Sequence, residues 1–178
     1  MNGNRVGVPP MLNADAVAAM VRGAVPDLYR YAVRLTGGDR ALADDLVQEA
    51  CLALAREMQA TPATELGTGW LIVVLRRRYL DQVRRGRRER LRLERDTALS
   101  ERDVKEPDWS SIDDGAALRA LGTLKPDQRV ALVLRYVDDL PVHDVAATLG
   151  RSVAATESLL ARGRRHMAQQ LQIGRAHV

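Results

Sequence analysis

The chain has no phenylalanine, and its aromatic residues make up only 3% of 178 residues, so its core rests on aliphatic side chains. It carries a single cysteine, Cys51, which excludes an intramolecular disulfide and leaves a packed thiol on a helix face as the simplest reading. No apolar run approaches the ~20 residues that span a bilayer. The opening MNGNRVGVPP lacks the basic start and apolar stretch of about 7–15 residues that mark a secretory signal, so a cytoplasmic location is expected. His143, His166 and His177 have no cysteine or histidine partner at zinc spacing, so no metal or other cofactor is expected. There is neither a phosphate-cradling glycine loop nor a serine elbow, and Asp44-Asp45 is an ordinary helix-surface pair. The sequence reads as that of a protein without catalysis of its own.

Strand signatures are also missing, since β-branched or aromatic alternation is absent while helical periodicity runs through most of the chain. Ile72-Val73-Val74 is the one tempting exception, but it lies within Trp70–Val83, a stretch without turn residues, and length favours a helix. The expected fold is all-α, two small helical domains joined by an acidic linker, the second a helix-turn-helix. In the first half the patterning predicts helices over about 15–35, perturbed near Pro26, over about 40–59, and over about 69–85. Gly37-Gly38 stops the first, Asp39 caps the second, 61–68 reads as a loop, and Gly86 ends or weakens the third. In the second half Pro126 opens a helix running to about Val137, then comes a short helix over 141–149, a turn at Gly150, and a last helix from Val153.

What is abundant is arginine, unevenly placed. A net charge of +4 with pI 9.7 is a mild pointer to a polyanionic partner. Between Arg76 and Arg95 ten arginines face three acids, whereas from Asp96 to Asp114 seven acids face two bases. A basic binding segment followed by a solvated acidic linker fits that reversal.

Three constellations follow. On the second helix Ala43, Leu46, Val47, Ala50, Cys51, Leu54 and Met58 form one stripe, as a core face should, and Asp45, Gln48, Glu49, Leu52 and Arg56 form the other. Periodicity alone gives that second face as solvated surface, with a docking surface as the alternative raised by Leu52. The third helix turns from apolar to arginine-rich. Trp70, Tyr79, Arg76, Arg77, Arg78, Arg84 and Arg85 have the chemistry to stack on unpaired bases and grip phosphates, against the alternative of a core tryptophan and solvated arginines. On the last helix Val153, Thr156, Leu160, Gly163, Met167 and Leu171 share the inner side, and Ala154, Ala155, Ser158, Ala161, Arg162 and Arg165 point outward, behind the Ser152 cap. Small residues first and arginines later suit a helix entering a major groove.

Taken in order, ALADDLVQEACLAL, WLIVVLRRRYLDQVRR and ALGTLKPDQRVALVLRYVDDLPVHDVAATLGRSVAATESLLARGRR resemble the extracytoplasmic-function (ECF) group of bacterial sigma factors, over roughly Leu28 to Leu171. The resemblance implies a factor that directs core RNA polymerase to promoters, with promoter DNA and an anti-sigma factor as further partners. A stand-alone helix-turn-helix transcription regulator is the rival reading. The implied domains are 11–95 (core binding, minus-ten recognition and melting), a 96–113 linker, and 114–172 (minus-thirty-five recognition). The implied sites are Asp45, Gln48, Glu49 and Leu52 for core polymerase; Trp70, Arg76, Arg77, Arg84 and Arg85 for the minus-ten element; and Arg151, Ser152, Ala155, Glu157, Ser158, Arg162 and Arg165 for the minus-thirty-five element. Asp81 is expected to orient a neighbouring arginine. The chain departs from the family pattern at Arg77, at Ala155, Glu157 and Leu159, and at Pro141, where a capping serine is usual. A divergent promoter sequence is therefore expected, with Glu157 reading a cytosine amino group or lying away from the backbone. The closing IGRAHV resembles a translated sequencing-adapter read-through, so 173–178 is read as a non-native tail.

Overall fold

The structure, a computed structural model, describes residues 14–60, 67–93 and 114–175. The described residues are helical between short turns, in the order α1 (Ala14–Thr36), α2 (Arg40–Ala60), α3 (Thr68–Leu93), α4 (Asp114–Thr123), α5 (Pro126–Tyr136), α6 (Val142–Leu149) and α7 (Val153–Arg175). The expected 96–113 linker and most of the expected 61–68 loop lie outside the described residues.

Local chemistry sets most of these boundaries. Gly37 and Gly38 adopt φ of 69° and 94° and end α1. Asp39 Oδ1 then accepts from Leu42 N at 3.0 Å and caps α2. Pro126 stands in the first turn of α5, where its missing amide costs nothing. Helix α1 is a single helix with Pro26 inside it, on an exposed face. One expectation is corrected. Helix α3 continues past Gly86 to Leu93, because one exposed glycine costs only about 1 kcal/mol against a helix already nucleated and packed upstream. The Ile72–Val74 run is helical, as its length indicated.

Helices α1, α2 and α3 pack around Leu28, Leu35, Leu46, Leu54, Leu71 and Leu75, all essentially inaccessible to water. Helices α5, α6 and α7 bury Val130, Val133, Leu134, Val145, Leu160 and Met167. These two sets are parts of one continuous core cluster, with α1 directly against α4 and α5 and α3 against α5. The seam is close. A Cβ on Gly122 would stand 2.7 Å from the Gly37 carbonyl oxygen, and one on Gly37 would stand 2.4 Å from the Arg129 guanidinium carbon. Only glycine admits backbones at that separation.

Candidate functional surfaces

On α2 the amphipathic stripe falls as its spacing indicated. Ala43, Leu46, Val47, Ala50 and Leu54 are buried, and Cys51 and Met58 are half-buried. Burial pushes the Cys51 thiol above its ordinary pKa. Asp45, Gln48, Glu49 and Leu52 are all exposed on the opposite face, with Leu52 the apolar centre of an otherwise acidic and polar strip. Glu49 lies 3.8 Å from Arg78 with both side chains about half exposed, a pair that contributes little to stability.

Along α3 the five minus-ten candidates separate. Trp70 is half-buried against the core, and Arg77 and Arg85 are exposed, with Arg85 Nε donating to the Asp81 carbonyl oxygen at 3.3 Å. Asp81 also holds Arg84 at 3.3 Å, the orienting contact expected of it. Tyr79 is corrected: it is buried to 4% exposure and presents no face for a base. Its angle on the helix points it at the seam, where burial raises its hydroxyl pKa and the nearby Arg129 charge pulls the other way.

Arg76 and Arg84 are engaged across the seam. Arg76 Nη1 donates to Asp138 Oδ2 at 2.9 Å, and Arg84 Nη2 donates to the Thr148 carbonyl oxygen at 2.7 Å. Tyr31 Oη donates to the same Asp138 Oδ2 at 2.9 Å. Burial, reinforced by that carboxylate, lifts the Tyr31 hydroxyl far above its ordinary pKa.

Helix α6, the αL turn at Gly150 (φ 63°) and α7 make the helix-turn-helix. Pro141 occupies the N-cap position of α6 with extended backbone and supplies no side-chain cap. Ser152 Oγ accepts from Ala155 N at 3.2 Å and caps α7. Arg151 is held by Asp127 at 2.7 Å. Glu157 and Arg162 are exposed, while Ala155, Ser158 and Arg165 are half-buried. Thr156, Leu160, Gly163 and Met167 face inward as their spacing required, and Leu171 is half-buried against the core. Val153 is corrected: it is 46% exposed, because as the first helical residue it projects beyond the layer that the rest of its stripe packs against. Leu159 is buried at 5%, so of the three departures on this helix Glu157 alone is fully presented to solvent.

Sequence patterning missed two residues that organise the seam. Arg129, 8% exposed, donates to the carbonyls of Leu121 at 2.9 Å, Leu124 at 3.0 Å, Gly122 at 3.4 Å and Leu35 at 3.4 Å, and to that of Thr36. One guanidinium thus satisfies orphan carbonyls at the ends of α4 and α1 together. Asp138 is the second, accepting from both Arg76 and Tyr31. Gly37, which approaches Arg129 and Gly122, was the available signal, and without its partners in view it spoke only for a helix stop.

The family profile described as Sigma-70 region 2 matches residues 20–89, and that described as Sigma-70, region 4 matches residues 114–167. The ECF RNA polymerase sigma factor SigE of Mycolicibacterium smegmatis is 33% identical over 159 residues, covering 85% of this chain and 60% of the relative. The probable ECF sigma factor SigI of Mycobacterium tuberculosis is 33% identical, covering 87% of this chain and 55% of the relative. The chain thus spans little more than half the length of these two relatives. The ECF RNA polymerase sigma factor EcfG of Rhodopseudomonas palustris is 32% identical over 162 residues, covering 89% of this chain and 87% of the relative. The chain belongs to the ECF sigma factors. The fold agrees: the sigma factor RpoE of Bartonella quintana, solved in complex with the anti-sigma factor NepR, aligns with a TM-score of 0.54 at 22% identity, covering 88% of this chain and 96% of that one. Among the described residues, no helix of this ECF sigma factor is long and apolar enough to cross a membrane.

Proposed function

We propose that the chain acts as a cytoplasmic sigma factor that directs core RNA polymerase to specific promoters and initiates transcription, supplying specificity while the polymerase supplies the chemistry. In this reading 11–95 binds core and opens the minus-ten element, 96–113 links, and 114–172 reads the minus-thirty-five element. The observation that carries it is the exposed strip of Asp45, Gln48, Glu49 and Leu52 on α2, which a simple DNA-binding regulator does not need.

Each surface has a role in this reading. The α2 strip docks on core polymerase through the apolar Leu52 within an acidic and polar rim. Trp70, Arg76, Arg77, Arg84 and Arg85 take the displaced minus-ten strand, arginine forks on phosphates and the tryptophan against a base. Ser152 caps the recognition helix, Ala155, Glu157 and Ser158 face base edges, and Arg151, Arg162 and Arg165 reach phosphates or guanine edges. The relative crystallised with NepR supports an anti-sigma factor as a regulatory partner of this chain too.

Charge reversal at Asp45 separates the sigma reading from a stand-alone regulator. Asp45→Arg should abolish capture of core polymerase in a pull-down and leave affinity for duplex DNA unchanged. Undiminished capture of core by the variant would reject the sigma reading of this face.

A further inference from the structure

We propose that Val153 is a specificity-determining residue whose methyl groups pack on the C5-methyl of a thymine in the upstream promoter element, one helical turn ahead of a cytosine whose amino group donates to Glu157. This rests on the reading of 114–172 as the part that reads that element. Of the large apolar side chains exposed among the described residues, Val153 is the one on α7, at 46%. The hydroxyls beside it serve the helix itself. Ser152 Oγ accepts from Ala155 N at 3.2 Å, and the fully buried Thr156 donates to the Ser152 carbonyl oxygen at 2.9 Å. Beyond that cap the exposed side chains of the first turn are Val153 and Ala154, which carry no hydrogen-bonding group. Steps of four residues lead from Val153 to Glu157, Ala161 and Arg165, one row winding slowly along the helix. Val153 and Glu157 are exposed on that row, and Ala161 and Arg165 are half-buried.

The chemistry of the row selects its targets. The thymine methyl is the one apolar group that base edges present in the major groove, so a valine there gains by covering it and loses by stripping water from any other edge. A carboxylate accepts and does not donate, which suits the cytosine amino group and is repelled by the paired acceptors of guanine. Residues four apart lie about 6 Å apart along a helix and stacked base pairs about 3.4 Å apart, so the two groups read positions within about two base pairs of each other. The start of the helix is also anchored. Arg151 is held on Asp127 of α5 at 2.7 Å, both side chains sheltered, and the Gly150 amide closes the turn on the last carbonyls of α6.

The test uses the full chain with core RNA polymerase. Templates randomised across the upstream element are selected by transcription, and each thymine of the enriched element is then replaced in turn by deoxyuridine, which removes the methyl and keeps every hydrogen-bonding group. The enriched element should hold a thymine within about two base pairs of a cytosine. Loss of that one methyl should weaken promoter binding by the holoenzyme about four-fold. Val153→Ala, which removes no buried contact, should bind the thymine and deoxyuridine templates alike, and Val153→Thr, which keeps a γ-methyl, should restore the difference. Val137→Ala removes an equally exposed valine at the end of α5 and should match the parent. An enriched element with no thymine near a cytosine overturns the assignment. So does a deoxyuridine penalty that is absent in the parent or undiminished in Val153→Ala, and in each case the promoter-reading role of 114–172 stands. Enrichment of no element at all rejects that role and the assignment with it.

Discussion

Replacing Arg129 by methionine tests the seam with a quantity that its geometry fixes in advance. Three of its hydrogen bonds, to the carbonyls of Leu121, Leu124 and Thr36, are within ordinary reach, and two, to those of Leu35 and Gly122, lie at 3.4 Å. A bond from a charged donor contributes about 1.5–3 kcal/mol, so the three good ones supply roughly 4–9 kcal/mol before desolvation. Returning a guanidinium to water in the unfolded chain recovers several kcal/mol of that sum. Methionine escapes the desolvation cost but leaves three buried carbonyls without a donor, at about 1 kcal/mol each. The net expectation is a loss of about 3 kcal/mol, or about 6–12 °C in Tm for a chain of this length. Arg129→Lys should fall between the two, since a single ammonium lacks the fork that reaches α1 and α4 at once. Urea and thermal unfolding followed by circular dichroism give both numbers. A variant within about 0.5 kcal/mol of the parent would refute the claim that this residue holds the two halves together.

Other predictions follow from the same structure. Ser152→Ala removes the cap on the last helix and should cost about 1 kcal/mol in chemical unfolding. Tyr31 and Tyr79 both have folded pKa values raised by burial, so above the unfolded pKa the folded state binds more protons than the unfolded one. Stability should therefore fall as pH rises beyond about 10, and Tyr79→Phe should flatten that fall, read as the urea midpoint against pH. Glu157→Gln should relax selection at a single base pair of the upstream promoter element, about 1–3 kcal/mol of discrimination, leaving the other positions as they were; selection from a randomised site reads this out.

The parts of the fold set by local chemistry were legible in the residues. Asp39 and Ser152 announce helix starts because their side chains cap the nearest amides, and Gly37-Gly38 announces a stop. The α2 strip was legible because a 3.6-residue period separates Leu46 and Leu54 from Asp45 and Leu52 without reference to anything outside the helix. Val153 shows the limit of that method: angle alone assigns it to the inner stripe, but burial also needs a neighbour at that height along the axis. Tyr79 shows the converse, an aromatic among arginines whose surroundings include Arg129 and Asp127 of the second half and Asp39 of the turn before α2. The seam was illegible for the same reason. Arg129 meets Thr36 across 93 positions and Tyr31 meets Asp138 across 107, and no local pattern encodes a partner so distant. Gly86 sits between these cases, a helix breaker by local propensity that the packed turns before it override.

The function proposed for this chain is to confer promoter specificity on a polymerase. Its most direct test is transcription by core RNA polymerase, with and without the purified chain, on a library randomised across both promoter elements. Transcripts are expected only when the chain is added, starting downstream of a shared two-part motif, and they should be lost with Asp45→Arg. Transcription from the library that is unchanged by the chain, or enriched templates sharing no motif, would contradict it.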